Sequence, residues 1–205
     1  MAPNGFSKKK IGHLPEPSKK DTETILRIQI FLDEKMYGPG KIDGRMGQFT
    51  RKAVAHYNFG YNLQYDNYYK VINESNAAVD QLFTTYTIKE GDYKFVGEVS
   101  FEPSEQAEID YLYYRSILEF AAERFHSDEK YLTKINPETD WEKVVAGIVI
   151  KVPNVTSFKI EDVRKDKSFL RERKLSKRLV IVDTSQKLVT IWDKKKILAA
   201  FPITP

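Results

Sequence analysis

The sequence predicts an α+β protein made of several small modules, and three observations favour this fold class. Near the start, Ile25, Ile28, Leu32 and Met36 recur at three- and four-residue spacing, which is typical of an amphipathic helix. After Thr85 the pattern changes to β-prone alternation, which is typical of a strand. The chain ends in three apolar runs separated by polar turns, which predicts a small meander.

Composition limits the chemistry that this chain can perform. Its 205 residues suit one to three small domains, and no apolar run approaches the ~18 residues of a transmembrane helix. The sequence has no cysteine, so disulfides, thiolate catalysis and cysteine-ligated zinc are excluded for this chain. His13, His56 and His126 lie far apart without the spacing of metal ligands. We therefore expect no metal and no cofactor.

The net charge of +4 is unevenly distributed along the chain. Residues 1–20 contain five lysines and one glutamate, and we predict a disordered basic tail there. Residues 156–177 are charged and poorly periodic, which predicts a linker. These segments are either simply solvated or attracted to a polyanion such as a cell-wall polymer. Nucleic acid is not an expected partner, because no compact basic face with a DNA- or RNA-binding motif is present.

Residues 21–83 are predicted to form a helical unit. Its first helix begins near Asp21 or Thr22 and ends at a Gly-Pro-Gly turn. A second helix begins at Thr50, and a third helical stretch covers roughly 66–82.

The loop at 41–47, between the first two helices, carries residues with expected structural roles. Gly44 and Gly47 supply a positive φ or allow a close approach of the backbone. Asp43 accepts hydrogen bonds from backbone amides in the turn, and Thr50 caps the second helix. The same pattern also fits a plain αα-hairpin with a glycine-rich turn.

The segment at 28–54, IQIFLDEKMYGPGKIDGRMGQFTRKAV, resembles the peptidoglycan-binding domain 1 family. The shared pattern is a helix with Leu-Gln-like positions, a Pro-Gly loop, Ile-Asp-Gly, a further Gly, Thr, and Ala-Val. The sequence departs from the family at Tyr57-Asn58-Phe59, where Phe-Gln is commoner. The resemblance implies a wall-binding module in which Asp43, Gly44, Gly47 and Thr50 are structural.

The segment at 57–69 is rich in aromatic residues that alternate with Asn and Gln. If the rings are exposed, they suit sugar recognition, because ring faces stack on C–H groups and amides bind hydroxyls. If they are buried, they serve core and interdomain packing, which is the commoner use of aromatic side chains. The sequence favours packing and leaves both interpretations open.

Residues 84–155 are predicted to form a βααβ unit. A strand with a Glu-Gly-Asp turn precedes helices over about 116–126 and up to Ile135, and a strand over 147–153 closes the unit. Ser127 or Asp128 caps the second of these helices.

The motifs YTIKEGD at 86–92, INP at 135–137 and GIVIKVP at 147–153 resemble a LysM domain. That resemblance implies a groove for N-acetylglucosamine-containing glycans, with five candidate ligand-binding residues: Gly91, Asp92, Asn136, Pro137 and Glu138. An insertion at about 93–115 departs from the family and either covers the groove or extends it. The alternative is a βααβ unit without glycan affinity.

Residues 178–205 contain three predicted strands, at 179–182, 188–192 and 197–203. The segment RLVIVDTSQKLVTIW, together with the later Phe-Pro-Ile, resembles the start of an L,D-transpeptidase catalytic domain of the YkuD family. The family's catalytic Cys and His lie downstream of this region, so the truncated start is not catalytically competent. The last strand is predicted to expose an unpaired edge, which suggests weak order or edge-strand association through 197–203.

These resemblances together imply the peptidoglycan-binding region of an L,D-transpeptidase that cross-links or modifies murein stem peptides. The expected partners are glycan strands or stem peptides. The expected location is extracytoplasmic, in the periplasm or cell wall, after removal of a signal peptide. Two alternatives stay open: a non-enzymatic wall-binding or adhesive protein, and the targeting arm of a murein hydrolase.

Overall fold

The computed structural model of the protein describes residues 12–100, 102–108, 112–163, 173–175 and 177–204. It confirms the α+β fold class. The predicted tail up to residue 11, most of the charged linker and Pro205 lie outside the described residues. The helices are α1 Thr22–Glu34, α2 Gln48–Phe59, α3 Tyr69–Ala78, α4 Pro103–Gln106, α5 Ile117–Arg124 and α6 Glu129–Ile135, with 3-10 helices at Glu90–Phe95 and Ile160–Asp162. The strands are β1 Phe83–Thr87, β2 Val149–Pro153, β3 Arg178–Asp183, β4 Leu188–Asp193 and β5 Lys196–Pro202.

The first three helices enclose one hydrophobic core. The predicted stripe of α1 is buried at Ile25, Ile28 and Leu32. Met36, predicted on the same stripe, is 52% exposed, because the helix ends at Glu34 and Met36 takes a left-handed backbone with φ 66°.

Residues 12–20 lie against this helical unit. The Leu14 amide donates to Asn67 Oδ1 at 3.3 Å, and the Arg51 guanidinium forms two hydrogen bonds with Glu16. These contacts hold the segment against α2 and against the connection between α2 and α3.

The second unit places α5 and α6 on one face of the antiparallel β1–β2 pair. Its core includes Ile150 and Val152 of β2 with Ala121 and Leu132 of the two helices. Asp128, one of the two predicted caps, accepts a hydrogen bond from the Tyr131 amide and caps α6.

The helical unit and the second unit share a polar boundary. The Ile42 amide donates to His126 O at 2.7 Å, and Ser127 Oγ donates to Ile42 O at 2.8 Å. Beside these bonds, His126 Nδ1 lies 2.8 Å from Asp33 Oδ2. The boundary is therefore fixed by backbone as well as side-chain hydrogen bonds.

Strands β3, β4 and β5 form the predicted meander, in that order. Contrary to the expectation of an unpaired last strand, the outer edge of β5 is paired at its centre with the helical unit. Gly38 N donates to Ala200 O at 2.7 Å, and Ala200 N donates to Met36 O at 2.9 Å. Tyr37 lies between Met36 and Gly38 in the chain, and its hydroxyl donates a further hydrogen bond to Ile197 O at 3.2 Å. Ile197 and Ala200 thereby join the core of the helical unit.

The opposite edge of the meander is exposed. The four apolar residues of β3, Leu179, Val180, Ile181 and Val182, are each more than 40% exposed.

Candidate glycan-binding surface

Four exposed aromatic rings lie on residues 59–69, from the last residue of α2 to the first residue of α3, and we call this segment the aromatic loop. Tyr65 is 74% exposed, whereas Tyr57 and Tyr68 are buried in the helical core. The two interpretations of the aromatic segment therefore apply to different residues: some rings pack, and others face solvent. The exposed rings belong to Phe59, Tyr61, Tyr65 and Tyr69.

Two buried asparagines hold the backbone of the aromatic loop. The Asn58 side-chain amide lies within hydrogen-bonding distance of three loop carbonyls, with Gln64 O and Asn67 O both at 2.9 Å. Asn67 Oδ1 accepts from the Tyr69 amide at 3.0 Å, and its Nδ2 donates to Gly12 O at 3.1 Å. The rings are thus displayed on a loop that is closed by internal hydrogen bonds.

The base of the loop is tied to α3. The Tyr57 hydroxyl donates to the Glu74 carboxylate, and burial together with this hydrogen bond raises the pKa of Tyr57. The Lys70 ammonium, which also pairs with Glu74, lies 4.0 Å from the centre of the Tyr61 ring. Tyr61 also packs against the Tyr57 ring, with centroids 5.0 Å apart, and is therefore held in place while half of its surface stays exposed.

The aromatic loop has little charge. Asp66 is the one charged residue among residues 59–69, and the exposed Asn62 and Gln64 supply neutral amides. Flat rings beside amide groups match a neutral polyhydroxyl ligand, because C–H faces stack on the rings while amides exchange hydrogen bonds with hydroxyls.

The loop at 41–47 is organised by Gln29, which is 1% exposed and was not singled out from the sequence. Its Oε1 accepts from the amides of Asp43 and Gly44, and its Nε2 lies 3.1 Å from Arg45 O. Asp43 accepts from the Arg45 amide at 2.8 Å, as predicted for a turn residue.

Two structural roles predicted in this loop are wrong. Gly47 is the N-cap of α2, so Thr50 lies inside the helix, where its hydroxyl donates to Pro39 O at 3.1 Å. Gly44 has the expected positive φ of 72°, but Gly47 has a φ of −84° and open space around its Cβ position. Only one of the two glycines meets a steric requirement.

In the second unit, Asp92 and Asn136 use their polar atoms within the fold. Asp92 Oδ2 accepts from the Tyr86 hydroxyl at 2.7 Å and from the Lys89 amide at 2.8 Å. Asn136 donates to Leu132 O and Lys151 O, and its Oδ1 accepts from the Lys151 amide. These two side chains fix the turn after β1 and join α6 to β2.

The three remaining candidates are exposed: Gly91 lies in the 3-10 helix Glu90–Phe95, and Pro137 and Glu138 lie in the loop after α6. The 3-10 helix contacts the loop between α6 and β2, where the Tyr93 hydroxyl donates to Val144 O at 2.7 Å.

The insertion packs beside α5. Its two ends are joined by a bridge between Val96 and Tyr114, and residues 101 and 109–111 lie outside the described residues. A cleft of about 380 Å³ lies between the insertion and α5, bordered by Gln106, Tyr113 and Glu123 among others.

Within the described ranges, no group of three His, Cys, Asp or Glu side chains could hold a metal ion. None of the described helices is long and apolar enough to cross a membrane.

Comparison of the chain with protein-family models and with curated proteins gave no match. The resemblances to wall-binding modules and to a transpeptidase domain therefore rest on the sequence motifs alone.

Proposed function

We propose that this chain is the peptidoglycan-binding region of a cell-wall enzyme of the L,D-transpeptidase type. In this proposal it recognises murein outside the cytoplasm, and the cross-linking chemistry belongs to a catalytic domain that begins with β3–β5. The chain does not supply the catalytic thiolate, since it has no cysteine.

The observation that carries the proposal is the aromatic loop. Four rings are exposed on a backbone that Asn58 and Asn67 close, so little conformational freedom is lost when a ligand binds. The loop lies at the end of α2, where the sequence departs from the peptidoglycan-binding family. Of the three departing residues, Tyr57 and Asn58 are buried and Phe59 is exposed, so the departure places one ring on the surface.

The exposed strand β3 supports the second half of the proposal. Because successive residues of a strand point to opposite faces, β3 presents apolar side chains to solvent on both faces, as surfaces that bind another element commonly do. The remaining part of a transpeptidase domain would cover this surface.

Retention on insoluble peptidoglycan tests the proposal. We expect the chain to sediment with purified sacculi at moderate salt, and Tyr65→Ala to weaken retention about three- to tenfold through loss of one stacking surface. Tyr65 is suited to this test because its ring is largely exposed, so its removal leaves the core unchanged.

Phe158→Ala is the matched control, since Phe158 is also an exposed ring but lies outside the aromatic loop. Retention that disappears when the salt concentration is raised, equally in all variants, would assign binding to the basic segments and not to the loop. A chain that stays in the supernatant refutes the proposal.

A further inference from the structure

Trp192 of β4 lies at the contact between the meander and the aromatic loop. We infer that the glycan-binding surface continues from this loop onto the meander, with Trp192 as a ligand-contacting ring. The inference rests on the proposed function and adds that a bound glycan strand spans the wall-binding unit and the sheet.

The ring geometry provides the first argument. The Trp192 and Phe59 rings meet edge to face, with centroids 5.7 Å apart and planes at 73°. Phe59 is 52% exposed, and Trp192 is half-buried and packs partly against the helical core, so the pair lies where the core meets the surface. The Trp192 indole N–H donates to Thr190 Oγ1 at 2.9 Å, which fixes the ring orientation.

The docking of the two units provides the second argument. Besides the pairing of Gly38 with Ala200, Lys52 Nζ of α2 donates to Gln186 O in the β3–β4 turn at 2.6 Å. In the meander, these bonds lie on either side of Trp192 in the sequence, at Gln186 and Ala200. Because the rings are held before a ligand arrives, a ligand that touches both gains affinity without ordering the interface.

The chemistry of the surface provides the third argument. The aromatic loop offers neutral rings and amides, and Trp192 adds the largest ring face and no charge. A β-1,4-linked glycan is long, neutral along its backbone and rich in C–H faces, so it can stack on successive rings.

Tryptophan fluorescence isolates the residue in question. The chain has two tryptophans, so Trp141→Phe leaves Trp192 as the only indole. This substitution is mild, because Trp141 Nε1 is buried without a hydrogen-bond partner among the described residues. The probes are a tetramer of β-1,4-linked N-acetylglucosamine and soluble peptidoglycan fragments released by a muramidase.

We expect saturating probe to shift Trp192 emission and to reduce its quenching by acrylamide. The reciprocal variant, Trp192→Phe, keeps a ring against Phe59 and reports from Trp141, whose emission should not respond. Adding Tyr65→Ala to the Trp141→Phe chain should move the midpoint of the Trp192 response to about three- to tenfold higher probe concentration.

Three outcomes would overturn the inference in different ways. In the first, the chain is retained on sacculi, but neither probe changes Trp192 emission or its quenching by acrylamide. Trp192 would then not contact the glycan, and the proposed function would be unaffected. A Trp192 response that is indifferent to Tyr65→Ala shows that the two rings do not share a ligand. No retention on sacculi refutes the proposed function and this inference together.

Discussion

At the scale of single residues, Gly44 and Gly47 belong to the same motif but have different physical reasons to be glycine. Gly44 has a φ of 72°, and a Cβ there would lie 2.5 Å from Thr22 Cγ2. Gly47 has an ordinary φ of −84°, and a Cβ there would meet nothing within 4 Å. The motif predicts a glycine at both positions, but only the backbone conformation shows that Gly44 is sterically required and that Gly47 is a helix N-cap.

We predict that Gly44→Ala lowers the free energy of unfolding by about 1–3 kcal/mol, because it adds left-handed strain and a clash with Thr22. Gly47→Ala is the matched control and should cost less than about 1 kcal/mol, the scale of a changed N-cap. Urea denaturation of the two variants measures both values. Equal losses would mean that the backbone at Gly44 relaxes at no cost.

The sequence did not indicate that three amide side chains are buried and bind backbone groups. Gln29, Asn58 and Asn136 are each less than 10% exposed, and each binds several backbone groups. Asn136 was expected to contact ligand because an Asn beside a Pro resembles a groove position. Polar residue type alone does not separate an amide that satisfies buried backbone groups from one that faces solvent.

At the scale of elements, apolar periodicity predicted the long helices and the meander strands well. It identified the buried face of α1 up to Leu32 because helical side chains there meet one core. It did not predict the short helix Pro103–Gln106, whose side chains are not buried and therefore leave no periodic pattern. Periodicity also did not predict contacts between units, such as that of Ile42 with Ser127, because they join residues that are distant in the sequence.

The contact between the end of α1 and the turn after α5 should respond to pH. The hydrogen bond to Asp33 raises the pKa of His126, and Glu123 and Glu34 act in the same direction, while burial opposes them. A raised folded pKa stabilises the fold fully below the usual histidine value of about 6.5. That contribution is lost as the pH rises through the folded value.

We therefore predict that the free energy of unfolding contains a component that decreases as the pH rises above about 6.5, and that His126→Asn removes this component. Asn is the suitable replacement because His126 has a φ of 51°, which Asn tolerates better than most residues. Denaturation curves at several pH values, compared between the two proteins, check the difference. Parallel pH profiles for both would rule out His126 as the titrating group.

At the scale of the whole molecule, the meander is part of the helical core and not a separate appendage. Tyr37 and Ala200 bridge the two units, and Ile197 is buried beside α1 and α2. The expectation that residues 178–205 are weakly ordered followed from considering the three strands alone. The stabilising surface lies more than a hundred positions earlier in the sequence, where no local pattern indicates it.

We predict strong amide-exchange protection at Ala200 and Gly38 in a dilute monomer, since each amide donates across the docking interface. Gly38→Val should reduce protection at Ala200 by at least tenfold, because a Cβ at residue 38 would lie 2.9 Å from Pro202 Cδ. Gly91→Ala, at an open position, is the control and should leave protection unchanged. Unprotected Ala200 in the unmodified chain would contradict the docked arrangement.

The two docking points of the helical unit are close together in the chain. Gly38 bonds to the meander and Ile42 bonds to the second unit, with only Pro39, Gly40 and Lys41 between them. Surface turns normally tolerate changes of length. Here one added or deleted residue would move Gly38 relative to Ile42, so the hydrogen bonds to the meander and to the second unit could not both form. The length of this turn is therefore as constrained as that of a core strand.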